Sequence, residues 1–413
     1  SGPSEGSSMT AQASQVLRRD LKAMGLIGLA HGLSHFFQLV LATLLPFIVH
    51  DFEVSYTQVG ALMTTFFVTS GLGQPLAGFL VDRFGARRVL YIGIAIYCAG
   101  LYAAALAPTF ALLFPAAVIA AIGNCVFHPV DYTILNASVS PHRLGRAFGV
   151  HTLCGNLGWA AAPVSMLPLA SLANWRLAIA AAASVGLAVL LLLAAGRRDL
   201  DEERGGAQPS GARAGLGLEV LLSGPVLSCF AYFVLLAAAL IAVQNFLPPT
   251  LAALHQTPLV LAGTALTGFL LGASSGIFVG GVIADRYPRH GLVIAGGLFG
   301  SALTFVVVSE VSFPAVALIL TLALAGFLQG LTTPSRDLLV RSVTPSGATG
   351  RVFGFVYSGL DVGSALAPVT VGAILDAGDP RWIFWLVALM LFLAIFTAVS
   401  IGQRRRLQPQ PAE

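Results

Sequence analysis

Residues 124–163 read NCVFHPVDYTILNASVSPHRLGRAFGVHTLCGNLGWAAAP, and residues 331–368 read LTTPSRDLLVRSVTPSGATGRVFGFVYSGLDVGSALAP. The second stretch is a degraded copy of the first. Pro129 aligns with Pro334, Gly145-Arg146 with Gly350-Arg351, and Phe148-Gly149 with Phe353-Gly354. Gly158 aligns with Gly363 and Pro163 with Pro368, and every one of these pairs stands 205 residues apart. Pro141 and Pro345 slip by one residue. A single offset held across that many identities makes the chain two copies of one half, each with this helix–loop–helix near its middle.

Apolar residues make up 56% of the chain and charged residues 10%, with a mean hydropathy of +0.85. A soluble domain carries about 25% charged residues, so this chain has too few charges to cover itself with a water-facing surface. Apolar runs long enough to span a bilayer recur from Ala23 to Gln403, separated by short polar loops. That pattern predicts an all-α polytopic membrane protein. The short alternating segments of a barrel are missing. Twelve transmembrane helices are expected near 23–49, 56–81, 89–107, 109–136, 146–172, 175–195, 219–247, 258–284, 291–312, 314–340, 351–375 and 381–402.

The expected domains follow from the repeat. Residues 1–8, SGPSEGSS, read as a scar of recombinant expression before Met9. Residues 9–195 form an N-terminal six-helix bundle and 219–403 a C-terminal one, joined by a polar, Gly- and Arg-rich linker at 196–218. A basic tail follows at 404–413. Of the 22 Lys and Arg residues, eighteen fall in segments on the side of the two termini. Only Arg176 and Arg381 fall on the other side, and Arg336 and Arg341 lie in the tenth helix. The positive-inside rule therefore predicts both termini cytoplasmic in a multi-pass inner-membrane protein. Cys98, Cys125, Cys154 and Cys229 lie in apolar runs without paired spacing and read as free buried thiols.

The loop between the second and third helices reads GFLVDRFGARRVL, from Gly78, and its partner reads GGVIADRYPRHGL, from Gly280. In the first, Gly78 is expected to allow close helix approach and Gly85 a tight turn. Asp82 is expected to accept hydrogen bonds from the amides of a neighbouring helix N-terminus. Gly78, Leu80, Asp82, Arg83, Gly85, Arg87 and Arg88, echoed by Asp285 and Arg286, resemble the signature loop of the major facilitator superfamily. The two six-helix halves and central linker resemble that family's architecture over essentially the whole chain. More narrowly, AHGLSHFF at 30–37, VFHP at 126–129 and GNLG at 155–158 resemble the fosmidomycin-resistance-type efflux proteins. In that group the first helix carries an acidic residue about where His35 stands here, so its proton chemistry does not transfer directly.

Ionisable residues inside membrane helices cost about 2.5–3.5 kcal/mol each on insertion scales. Here they are His31, His35, His128, Asp131 and His151 in the first half, and Arg336, Asp337, Arg341 and Asp361 in the second. The repeat aligns Asp131 with Arg336 and Asn156 with Asp361, which makes Asp131 and Arg336 a candidate pair across the two halves. A structural reading, with Arg336 paired only to Asp337 or Asp361, stands beside it. His31, Ser34, His35 and Gln38 form a polar stripe on one helix face. Histidine titrates at about pH 6.5 when unperturbed, so cavity histidines can carry a coupling proton; the plainer alternative is a neutral helix–helix hydrogen bond. The histidines and Asp131 also admit a divalent metal. Gln244 and Asn245 precede Pro248-Pro249, where a helix break is expected. Trp175, Trp382 and Trp385 read as interface anchors.

No phosphate-binding loop is present, the chain has a single lysine, Lys22, and no hydrolase triad is seen. The sequence thus predicts a carrier and not an enzyme, with no cofactor, no nucleic-acid partner and a monomeric state. The family resemblance implies proton-coupled alternating access for a small organic solute, with export by antiport favoured. An organic-anion carrier anchored by Arg336 and a metal transporter remain as alternatives.

Overall fold

A computed structural model describes residues 4–200, 218–344 and 349–407. Most of the linker, the end of the tail and Pro345 lie outside the described residues. Sixteen α-helices are present among them. The first repeat holds α1 (Ser4–Thr43), α2 (Leu45–Phe52), α3 (Tyr56–Phe84), α4 (Ala86–Ala105), α5 (Leu113–Asn124), α6 (Phe127–Ser138), α7 (Leu144–Leu172) and α8 (Trp175–Ala195). After α9 (Leu218–Leu221), the second holds α10 (Gly224–His255), α11 (Leu259–Arg286), α12 (His290–Glu310), α13 (Ala315–Leu331), α14 (Thr333–Ser342), α15 (Thr349–Asp376) and α16 (Arg381–Leu407).

Eleven helical segments are long and apolar enough to cross a membrane. The expected span not among them is α3, whose 29 residues suffice in length but carry many Thr, Gly and Gln. The expected fourth and tenth helices each divide in two. α5 gives way to α6 at Cys125–Val126, just before Pro129, and α13 to α14 at Thr332, just before Pro334. Proline has no amide to donate, and its ring crowds the carbonyl four residues back. The break is thus a property of the repeat itself.

The break expected at Pro248-Pro249 does not occur. α10 runs through both prolines to His255, and every residue from Gln244 to Leu251 is buried. Tight packing on all sides holds the helix past its two missing amides, as membrane helices permit. Trp175 is also corrected: it is buried, donates from Nε1 to Asp51 Oδ2 at 3.1 Å and packs on Phe52, whereas Trp382 and Trp385 are exposed.

By internal contact the chain forms two compact units. Of the described residues, one comprises 4–38, 69–159 and 176–200, the other 39–68, 160–175, 218–344 and 349–407. Residues 39–68 and 160–175, from the first repeat, therefore pack in the unit that holds the second. Within that unit α11 and α13 meet along a small-residue stripe. A methyl group at Gly272, Gly276 or Gly280 would strike the α13 backbone, and one at Gly326 or Gly330 would strike α11.

Candidate functional site

The first unit contains a cluster of four histidines and one carboxylate, all buried except His128, which is partly buried. Its geometry starts from glycine. On α1, Gly28 and Gly32 press on Cys154 of α7, and a methyl group at Gly158 would overlap the Gly32 backbone. The two helices cross almost backbone to backbone, which brings His31 against His151 and His35 against Trp159. Gly155 completes the space, since a methyl group there would sit 2.7 Å from His35 Nδ1 and 2.8 Å from His31 Cδ2.

Asp131 enters from α6, five residues past the break, and is 0% exposed. Its Oδ2 lies 3.0 Å from His31 Nδ1 and 3.1 Å from His151 Nε2. The rings of His31 and His151 stack with centroids 3.5 Å apart. His35 follows at 4.3 Å from His31, and His128 at 5.2 Å. His35 in turn stacks on Trp159 at 4.0 Å. Trp159 Nε1 donates to Gln38 Oε1 at 3.0 Å, Gln38 Nε2 to Asn124 Oδ1 at 3.3 Å, and Asn124 Nδ2 to Ser70 Oγ at 2.8 Å. A polar chain thus runs from the histidines on α1 through α7 and α5 to α3.

Two chemical occupants suit this cluster. An ionised carboxylate in a dry interior is costly unless neutralised. With neutral imidazoles and an ionised Asp131 the cluster carries one negative charge, and a single added proton cancels it. Two imidazolium rings stacked at 3.5 Å would repel strongly, so the stacked pair holds at most one such proton. A divalent ion is the other occupant. One ligand atom from each of His31, Asp131 and His151 lies within 4.8 Å of the others, and imidazole with carboxylate is a set that first-row ions accept.

In the second unit Arg336, on α14, gives Nε to Asp337 Oδ1 at 2.9 Å, and its guanidinium lies 4.8 Å over the Phe233 ring of α10. Tyr357 of α15 donates to the same Asp337 oxygen at 3.0 Å. Asp131 and Arg336 therefore each have partners inside their own unit. Gln244 and Asn245 are buried with Gln244 Nε2 and both Asn245 side-chain polar atoms unpartnered among the described residues. Asn156 is partly buried on α7 and Asp361 exposed on α15.

The signature loop is partly as expected. Gly85 takes φ +87° at the turn into α4. Gly78 is a correction: a methyl group there would meet nothing within 4 Å, and the same holds for Gly281, so neither makes a close helix approach. Asp82, Arg88, Asp285 and Arg286 are exposed, and Arg83 lies over the ring of Phe84. Arg87 donates to the carbonyls of Arg197 at 2.9 Å and Leu200 at 3.1 Å, tying the loop to the start of the linker.

Sequence reasoning missed a further constellation, at the end of α3 away from that loop. Asp376, in the last turn of α15, accepts the backbone amides of Tyr56 and Thr57, both at 2.7 Å, and the Thr57 hydroxyl at 2.5 Å. Thr64 Oγ1 donates to Ala365 O at 2.6 Å. Methyl groups at Gly60 and Gly372 would overlap the backbones of Pro368 and Tyr56. α3 and α15 are zipped antiparallel from Tyr56 to Thr64. An available signal was the position of Asp376, since a carboxylate in the last turn is unfavourable within its own helix and therefore serves another.

The family model of the Major Facilitator Superfamily matches residues 27–262 and 241–413. The chain belongs to that superfamily. It is 23% identical over 402 residues to the fosmidomycin resistance protein of Escherichia coli K12, covering 94% of this chain and 95% of the relative. It is 25% identical over 362 residues to an uncharacterised superfamily transporter, YfnC, of Bacillus subtilis 168, covering 85% and 86%. Its fold resembles the crystal structure of a bacterial homologue of the human lysosomal transporter Spinster, in an inward-facing and occupied conformation. The TM-score is 0.75 at 15% identity, over 94% of this chain and 98% of that one. The protein is a multi-pass membrane transporter of small molecules and not an enzyme.

Proposed function

We propose that this transporter is a proton-coupled antiporter that exports a small organic solute across the inner membrane by alternating access. The observation that carries the reading is the buried Asp131 Oδ2 shared between two buried, stacked imidazoles in a five-group cluster. Such a cluster holds one proton well and a second poorly, and gives that proton up only when water reaches it. A carrier couples two fluxes when its ligands favour different states; here the proton favours one and the solute the other. Export is supported by the relative named for fosmidomycin resistance. The Arg-rich loops and both termini face the cytoplasm in this reading, so the α3–α15 zipper closes the opposite, outer end. The protonic occupant is favoured over a metal because two imidazole nitrogens already sit at hydrogen-bond distance from one carboxylate oxygen.

The test is flux in proteoliposomes under an imposed pH gradient, comparing the wild type with Asp131→Asn. The variant is expected to lose gradient-driven flux while keeping gradient-free exchange of solute. Unaltered pH-driven flux in Asp131→Asn would remove the cluster from coupling. Flux that instead requires an added divalent ion would make the cluster a metal site.

A further inference from the structure

We propose that the Arg336–Asp337 dyad binds a small zwitterion with an apolar body, its anionic group on Arg336 and its ammonium on Asp337. The proposal rests on the chain being a transporter but not on what drives it.

Two full charges stand side by side on a membrane helix, where each is costly. The two side chains pair with each other on one helix, and this pair cross-links no two helices by itself. Their exposures differ: the Arg336 side chain is 14% exposed and that of Asp337 41%. A carboxylate that open within a spanning segment is expected to face water and not hydrocarbon. Both hydrogen bonds to Asp337, from Arg336 Nε and from the Tyr357 hydroxyl, fall on Oδ1. Among the described residues no hydrogen bond falls on Oδ2. The guanidinium is a planar fork of donors, a shape suited to a carboxylate or phosphonate.

The pair is neutral in sum but strongly dipolar. A simple anion gains Arg336 and is opposed by Asp337; a simple cation has the reverse problem. A zwitterion of matching spacing gains at both ends. Asp361, one turn beyond Tyr357 on α15, adds negative charge on the face that carries Tyr357, on the ammonium's behalf. Aromatic rings frame the dyad. Phe233 packs under the guanidinium and lies 4.8 Å from Tyr357, and Phe230 stacks on Phe355 at 4.9 Å. An apolar, flat body is therefore the expected complement to the charged head.

The experiment is calorimetric binding to the purified protein in detergent, with L-phenylalanine, phenylpropanoate and phenethylamine as probes. They share one body and carry both charges, the negative only and the positive only. L-Phenylalanine is expected to bind at least about tenfold more tightly than either single-charge probe, a gap of about 1.4 kcal/mol. Asp337→Asn is expected to make phenylpropanoate the tightest of the three, and Arg336→Gln to do so for phenethylamine. Absence of L-phenylalanine binding, or a wild-type preference for a single-charge probe, overturns the proposal, even where neither variant folds. No gradient enters the measurement. Loss of the probe ranking and loss of pH-driven flux are thus separate outcomes, and either can occur without the other.

Discussion

Asp131 offers one carboxylate oxygen to two imidazoles, and that sharing is expected to make the cluster sensitive to single substitutions. His35 lies a step away, 4.3 Å from His31 and stacked on Trp159. In the proposed mechanism it would tune the proton's site without sharing the carboxylate. His35→Gln is therefore expected to move the pH optimum of transport more than the apparent affinity for solute; an unchanged profile would make His35 a packing residue. Gly155 is the spatial counterpart. Gly155→Ala places a methyl group against both His35 and His31, and overpacking of this kind costs about 1–3 kcal/mol. A lowered melting temperature in detergent is expected, together with altered pH dependence of flux. Normal values of both would mean that the rings have room the geometry denies them.

At the scale of elements, the α3–α15 zipper is the contact to test. Asp376 caps a helix from another helix, and loss of a side-chain cap typically costs about 1 kcal/mol. Such a loss shifts a two-state equilibrium by a factor of roughly five. In a background without the four native cysteines, Thr64→Cys reports opening of this end through labelling by an impermeant maleimide. Adding Asp376→Ala is expected to raise the labelling rate about fivefold. An unchanged rate would show that the backbone contacts at Gly60 and Gly372 hold the end without the cap. The helices also show where local rules give way. Pro129 and Pro334 break their helices, whereas Pro248-Pro249, in a fully buried segment, do not. Proline's local penalty is the same in each case, and the segments around the breaks are also largely buried, so neither the residue nor its burial alone decides where a helix divides.

For the whole molecule, the charge asymmetry of the loops gives a direct prediction of orientation. Gln58 and Arg88 are exposed near opposite ends of α3. Single cysteines at these sites, again without native cysteines, are expected to label differently in right-side-out vesicles. An impermeant reagent should reach Gln58→Cys and not Arg88→Cys; the reverse pattern would invert the proposed topology and with it the direction of export. The sequence by itself determined the class of molecule: its apolar content and run lengths demanded membrane helices, its offset repeat demanded two halves, and Gly85 demanded a turn. These are properties of composition and local stereochemistry, which need no knowledge of neighbours. Only the tertiary structure decided which polar groups meet. His31 and Asp131 are 100 residues apart, and Asp376 and Thr57 more distant still. Their contact depends on glycines that let particular helices cross at backbone distance. The same dependence left Gly78 and Gly281 facing open space, although their motif suggested close approach. A glycine permits contact, but only the partner helix's position decides whether the contact is made.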